Sequence, residues 1–179
     1  NVICYKDTTI MRDGITLELS KATFYESSHI SVSRGTGTID GKEYPTVDLG
    51  SATQAVHRFY KLTTKLPEGM SDISMVKRNK KGKLKTFGGK VDDGFLSCYL
   101  DEFGSFMMYD DQVPPKIETI RYSSDRNKYD EWRFLITDNL DPDGYLDDLI
   151  YEAHADDQWI RLIYDKKNDL IRLIDFDKI

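Results

Sequence analysis

Acidic side chains are concentrated in one part of this chain. Between Arg133 and Arg161 the sequence contains no Lys or Arg but eight acidic residues. These acids are Asp138, Asp141, Asp143, Asp147, Asp148, Glu152, Asp156 and Asp157. Carboxylates so close together can bind a divalent cation, and they can also present a negative potential to a positively charged partner.

The spacing of these acids argues against a calcium site. The segment from Asn139 to Asp147 resembles the first nine positions of an EF-hand calcium loop, with side-chain oxygens at positions 1, 3, 5 and 9. Position 12 of such a loop must supply a bidentate glutamate, and this sequence has Ile150 there. We therefore expect a turn that places acids near the start of a helix, and we expect no metal ligand and no cofactor.

No set of residues has the spacing of a catalytic site. The histidines lie in three different segments, and nothing in the sequence joins one of them to Cys98. We therefore expect a protein that is not an enzyme and name no catalytic residue. A metal-dependent nuclease or phosphodiesterase is an alternative, because acids and a lysine can hold a catalytic metal near a strand end. Its candidate residues are Lys90, Asp92, Asp93 and Glu102.

A dense basic cluster precedes the acids. Six bases fall within nine residues and flank the turn Lys80-Lys81-Gly82. They are Lys77, Arg78, Lys80, Lys81, Lys83 and Lys85. A β-ribbon that carries these bases could lie along a phosphate backbone, so a nucleic-acid-binding protein is the second alternative. The other interpretations are a lysine-rich edge strand that prevents aggregation, or a ribbon tip that docks on the protein's own acids.

The favoured function follows from the uneven distribution of charge. The net charge is −6, and residues 126–179 contain 14 Asp and Glu against 8 Lys and Arg, so the whole excess lies in this last part. We expect an acidic inhibitor, immunity protein or regulatory factor, of a cell or a phage, that binds a basic surface of a protein partner. A viral structural or assembly component is a further alternative. The predicted contact residues are Asp141, Asp143, Tyr145, Asp147, Asp148, Tyr151, Glu152, Asp156 and Asp157.

Turn signals recur along the chain and predict β-hairpins. Asp-Gly pairs at 13–14 and 40–41 separate β-rich segments, and further hairpins are expected around 80–82, 101–104, 123–128 and 165–169. Apolar residues at helical spacing predict two helices, at 51–65 and 145–157. The sequence therefore predicts an α+β fold made mostly of antiparallel β-hairpins.

Composition and length limit the remaining possibilities. Hydrophobic residues make up 39% of the 179 residues, which is enough for a core, and no apolar run is long enough to cross a membrane. We expect a single domain over 1–179, with 112–115 as the place for a weak boundary. No leader is visible in residues 1–5, and we expect a cytoplasmic protein without a membrane partner.

Overall fold

The chain forms two compact units. The computed structural model describes residues 2, 4–70, 73–120, 132–142, 151–165 and 168–174. One unit comprises Asn1–Gln112 with Leu140–Leu146, and the other comprises Val113–Asn139 with Asp147–Ile179. The single domain over 1–179 stays a prediction.

The first unit consists of two β-sheets. Sheet I has the strand order β1-β2-β5-β9-β8, and sheet II has the order β13-β7-β6-β10-β4-β3. All neighbours pair antiparallel except β13 and β7, which are parallel. The strands of sheet I are β1 (Thr8–Arg12), β2 (Ile15–Leu19), β5 (Tyr60–Lys65), β8 (Lys90–Asp92) and β9 (Phe95–Leu100). Those of sheet II are β3 (Val32–Ile39), β4 (Lys42–Leu49), β6 (Ser74–Arg78), β7 (Leu84–Thr86), β10 (Gly104–Tyr109) and β13 (Leu140–Pro142).

The core of this unit lies between sheets I and II. Successive side chains of a strand point to opposite faces, so alternating apolar residues give each sheet one apolar face. Leu17 and Leu62 of sheet I and Met75 and Phe106 of sheet II are fully buried in one apolar cluster. The two sheets therefore pack face to face, and burial of these side chains is the main stabilising contribution.

Short turns set the strand registers. Asp40 and Gly41 have φ values of 50° and 82° and join β3 to β4, and Asp13-Gly14 and Asp93-Gly94 also have positive φ at both residues. Two successive positive φ values define a turn whose twist matches that of a hairpin, and Asp and Gly tolerate this conformation best. The predicted hairpins at 13–14 and 40–41 are confirmed.

The predicted helix at 51–65 is wrong. Ser51–Phe59 forms only turns and bends, in which Ser51 accepts hydrogen bonds from the N–H groups of Thr53 and Gln54, and the chain then enters β5. Tyr60 and Leu62 fit both the helical and the alternating pattern. The β-branched residues that follow favour a strand, and β5 is stabilised by pairing with β2 and β9 on either side.

The predicted hairpin around 101–104 is also wrong. β9 belongs to sheet I and β10 to sheet II, so residues 101–103 form a crossover between the sheets and not a hairpin turn. This crossover brings Glu102 close to sheet II.

The second unit contains one antiparallel sheet. Sheet III has the order β11-β12-β16-β15-β14, and the predicted hairpin around 165–169 is confirmed as the interior pair β15–β16. The predicted hairpin around 123–128 is confirmed as the pair β11–β12, although 121–131 lies outside the described residues. The strands are β11 (Lys116–Ile120), β12 (Arg133–Thr137), β14 (Ala153–Ala155), β15 (Gln158–Asp165) and β16 (Leu170–Ile174).

The second predicted helix, 145–157, is wrong over its described part. Residues 153–155 form β14, and Asp156 and Asp157 form the turn to β15 with φ values of 47° and 66°. Asp is among the few residues other than Gly that adopt positive φ readily, so an Asp-Asp pair can replace Asp-Gly in a hairpin. None of the described residues is helical, and the fold is all-β, not α+β. Accordingly, no helix that could cross a membrane is found among them.

The turn geometry gives the first test. Gly41→Ala should lower the free energy of unfolding by about 1–2 kcal/mol, because alanine is strained at a φ of 82°. A Cβ at this position would contact nothing within 4 Å, so the loss reports backbone conformation alone. Denaturant unfolding measures it, with Asp40→Asn as the control that changes stability by less than about 0.5 kcal/mol. Equal stability of the two variants would contradict the turn.

Candidate functional site

Two of the described acidic residues, Asp156 and Asp157, lie on a hairpin of sheet III. Asp156 and Asp157 form the two-residue turn between β14 and β15, and both are exposed. A two-residue turn leaves the backbone little freedom. The two carboxylates therefore lie at the tip of a hairpin and not on a helix face.

Aromatic and ionisable side chains lie beside this turn. Trp159 is 65% exposed and is the cross-strand partner of His154. Glu152 Oε2 lies 3.8 Å from His154 Nε2, and both side chains are largely exposed. We name Glu152, Asp156, Asp157 and Trp159 the acidic hairpin surface. It combines three carboxylates with one large exposed ring.

Trp159 was missed by sequence reasoning. It belongs to the apolar run at the start of β15, in which Trp159 and Ile160 point to opposite faces and only Ile160 is buried. The signal that could have identified Trp159 is its position near the start of the strand, two residues after Asp157. At the start of a strand, alternation leaves one of two neighbouring apolar residues outside the core.

The remaining predicted contact residues do not belong to the acidic hairpin surface. Tyr151 is half-buried and its ring packs on Tyr164 with centroids 4.8 Å apart, so it supports the hairpin. Asp141 lies in β13 at the register position opposite Lys85 of β7, so this part of the acidic segment runs beside the lysine-bearing strand. Four predicted contact residues lie outside the described residues. They are Asp143, Tyr145, Asp147 and Asp148.

In the structure, two of the six bases in the predicted basic cluster are paired with acids, and among the described residues the other four are not paired in this way. Lys77 Nζ lies 2.5 Å from Glu102 Oε2 and also donates to the carbonyl oxygen of Phe103, at 2.6 Å. Lys85 Nζ donates to Glu102 Oε1 at 3.0 Å and lies 3.6 Å from Asp101 Oδ1. Two of the six bases are therefore neutralised within the molecule by acids of the β9–β10 crossover.

Aromatic rings complete the environment of these two lysines. Lys77 Nζ lies 5.3 Å from the centroid of the Phe106 ring, and Lys85 Nζ lies 4.6 Å from that of Phe87. An ammonium group over a ring face is attracted by the ring quadrupole. Both ammonium groups are thus held at the sheet and not at the ribbon tip.

Glu102 is kept ionised by its two lysines. Burial alone would raise the pKa of this carboxyl, but the hydrogen bonds and positive charges of Lys77 and Lys85 outweigh burial and lower the pKa below its ordinary value. The hydroxyl of Tyr60 donates to the backbone oxygen of Glu102 at 2.8 Å, which fixes the crossover on sheet I.

The ribbon tip itself carries the exposed bases. The turn is ordered by Asn79 Oδ1, which accepts hydrogen bonds from the N–H groups of Lys81 and Lys83, and Arg78 donates to the carbonyl oxygen of Gly82. Lys80, Lys81 and Lys83 are exposed. The ribbon therefore presents fewer bases than its sequence indicates.

The candidate nuclease residues are not brought together. Asp92 and Asp93 precede β9 and Glu102 follows it, so six strand residues, roughly 20 Å, separate them. Lys90 is the first residue of β8 and pairs with Ser97 of β9, so it too is distant from Glu102 along the strand. Within the described ranges no group of three His, Cys, Asp or Glu side chains could hold a metal ion. The arrangement gives this chemistry no support.

The histidines and Cys98 are likewise dispersed. His57 Nδ1 and Tyr25 Oη are 2.9 Å apart on an exposed loop, whereas His154 belongs to sheet III. Burial raises the pKa of Cys98 to about 12, so its thiol stays protonated at neutral pH. Cys98 is therefore a core residue and not an activated nucleophile.

Comparison with known proteins does not assign this chain to a family. No protein-family model, no curated protein and no solved structure matches it.

The pairing of Glu102 can be tested by mutation. Glu102→Gln should lower the free energy of unfolding at pH 7 by about 1–2 kcal/mol, because the partly buried Lys77 loses its carboxylate partner and Lys85 is left with Asp101. Glu18→Gln removes the more exposed pair with Lys61 and should cost less than about 1 kcal/mol.

The same pair predicts a pH dependence. The pKa of Glu102 is lower in the folded protein than in the unfolded chain, where it is about 4.3. The stabilisation is thus complete above that value and is lost as the pH falls through the lowered pKa. Unfolding curves of wild type and Glu102→Gln should therefore converge once the pH is below the lowered pKa of Glu102. A difference that persists at pH 2 would contradict the ion pairs as its cause.

Proposed function

We propose that this protein is a non-enzymatic binding protein whose acidic hairpin surface contacts a basic surface of a protein partner. The observation that carries the proposal is the position of Asp156, Asp157 and the exposed Trp159 at the tip of a two-residue hairpin. An inhibitor, an immunity protein or a regulatory factor acts in this way, and we place it in the cytoplasm as part of the same proposal.

The chemistry of the surface fits partner recognition. Carboxylates steer a positively charged partner and raise the association rate, whereas large aromatic side chains contribute most of the binding free energy at interfaces. Trp159 provides the ring, and Glu152, Asp156 and Asp157 provide the charge. The backbone pairing of β14 with β15 orders these residues before binding, which favours affinity.

The ion pairs of Glu102 favour this surface over the basic ribbon. Lys77 and Lys85 already have carboxylate partners, so the ribbon offers three exposed lysines and Arg78 to phosphates. Arg78 is hydrogen-bonded within the turn. On the acidic hairpin surface, Glu152 lies within ion-pair distance of His154, which is charged only if protonated. Among the described residues, the carboxylates of this surface therefore have less internal compensation than the bases of the ribbon.

The proposal predicts the effect of removing two charges. Asp156→Asn with Asp157→Asn should slow association with the partner several-fold and reduce its salt dependence, because Asn keeps the positive φ but not the charge. The matched control is Asp92→Asn with Asp93→Asn, which removes two charges at another hairpin turn. Quantitative capture from nuclease-treated lysate of the producing cells identifies the partner, and biosensor kinetics give the rates.

Two results would contradict the proposal. Equal association rates of the Asp156/Asp157 variant and its control would exclude the acidic hairpin surface as the contact. Fluorescence anisotropy with single-stranded and duplex DNA and RNA tests the alternative. Binding that Lys80→Glu, Lys81→Glu and Lys83→Glu abolish together would assign the function to the ribbon.

A further inference from the structure

One face of sheet III forms an apolar cavity of about 500 Å³. Alternation along the strands places Phe134 and Ile136 of β12, Ile171 and Leu173 of β16 and Ile160 and Leu162 of β15 on this face. Volumes of this size and apolar walls are typical of sites for small molecules. Every described residue that lines the cavity belongs to the second unit.

The cavity is elongated across the strands. Its lining extends from Ile117 of β11 to Ala153 of β14, which spans five strands and roughly 19 Å at a strand spacing of about 4.8 Å. Trp132, stacked beside Phe134 with centroids 6.4 Å apart, also lines it. This shape fits a long, narrow apolar ligand better than a compact one.

The charge of the cavity is confined to the β14 end. Glu152 is the sole carboxylate among its described lining residues, and its side chain is 72% exposed, so the negative charge lies at the mouth. His154 lies beside it, with 3.8 Å between His154 Nε2 and Glu152 Oε2. The site is thus apolar along its length and anionic where it meets water.

We propose that this cavity binds a cationic amphiphile, a molecule with an unbranched or flat apolar body and one alkylammonium head. The body lies on the apolar face, and the head lies at the mouth beside Glu152. An anionic head would be repelled by the carboxylate, and a neutral head would lack the charge–charge attraction. The cavity shares Glu152 with the acidic hairpin surface, but its apolar part is separate, because Trp159 belongs to the opposite face of β15 from Ile160 and Leu162.

Intrinsic fluorescence tests this directly. The chain has two Trp residues, so Trp159→Phe leaves Trp132 at the cavity as the one reporter. The folded variant is titrated with decylammonium, decanol and decanoate below their micelle concentrations. We expect saturable changes in Trp132 emission, with decylammonium about two- to fivefold tighter than decanol because the pair at the mouth is exposed. Decanoate should bind most weakly.

Matched variants and probes of different length distinguish the contribution of the head group to the affinity from that of the apolar body. Glu152→Gln should equalise the affinities for decylammonium and decanol, whereas Glu118→Gln, on the opposite face of sheet III, should leave the preference unchanged. Shortening the chain from decyl to octyl should weaken binding by roughly fourfold or more per methylene in contact. Circular dichroism confirms that each variant is folded.

Three results of these titrations would overturn the proposal. They are the absence of a saturable signal with all three probes, tightest binding of decanoate, and a preference for decylammonium that survives Glu152→Gln. Probe-induced dissociation of a dimer would show that a second copy occupies the face instead. Decylammonium binding that is unchanged in the Asp156/Asp157 variant separates this site from the partner contact, so either can fail alone.

Discussion

The pairing of Glu102 with Lys77 and Lys85 links the two sheets of the first unit and reduces the positive charge that its basic ribbon presents. Glu102 lies on the crossover between β9 of sheet I and β10 of sheet II, and its lysines come from β6 and β7 of sheet II. The carboxylate therefore joins the two sheets at one end of β5. At the other end of β5, Arg34 donates to the carbonyl oxygen of Asp13 and the hydroxyl of Thr64. Polar contacts thus fix both ends of an otherwise apolar interface.

The same pairing explains why a charge pattern in the sequence overstates the charge of the surface. The six clustered bases are neighbours along the chain, but Lys77 and Lys85 are paired with an acid 25 and 17 residues away. The acids of the β14–β15 turn differ, because their exposure follows from the turn itself. The basic cluster is partly paired and the acids of the turn are exposed because of the strand order, and not because of the composition of the two segments.

Sequence reasoning succeeded where the determining chemistry was local. The Asp-Gly turns at 13–14 and 40–41 and the pairing of β15 with β16 follow from turn residues and alternation. It failed at 51–65, where Tyr60 and Leu62 fit two periodicities and pairing with distant strands decided between them. It failed again at Asp156-Asp157, where an acidic pair forms a turn without glycine. The acids, the lysines and Glu102 could be recognised as ionisable, but their partners depend on contacts between distant segments.

The central claim is that the carboxylates of the acidic hairpin surface contact the partner. Carboxyl footprinting with carbodiimide and glycine ethyl ester, read by mass spectrometry with and without the captured partner, measures this residue by residue. We expect protection of Glu152, Asp156 and Asp157 and unchanged labelling of the exposed Asp92 and Asp93. Unchanged labelling of all three hairpin acids in the complex would contradict the account.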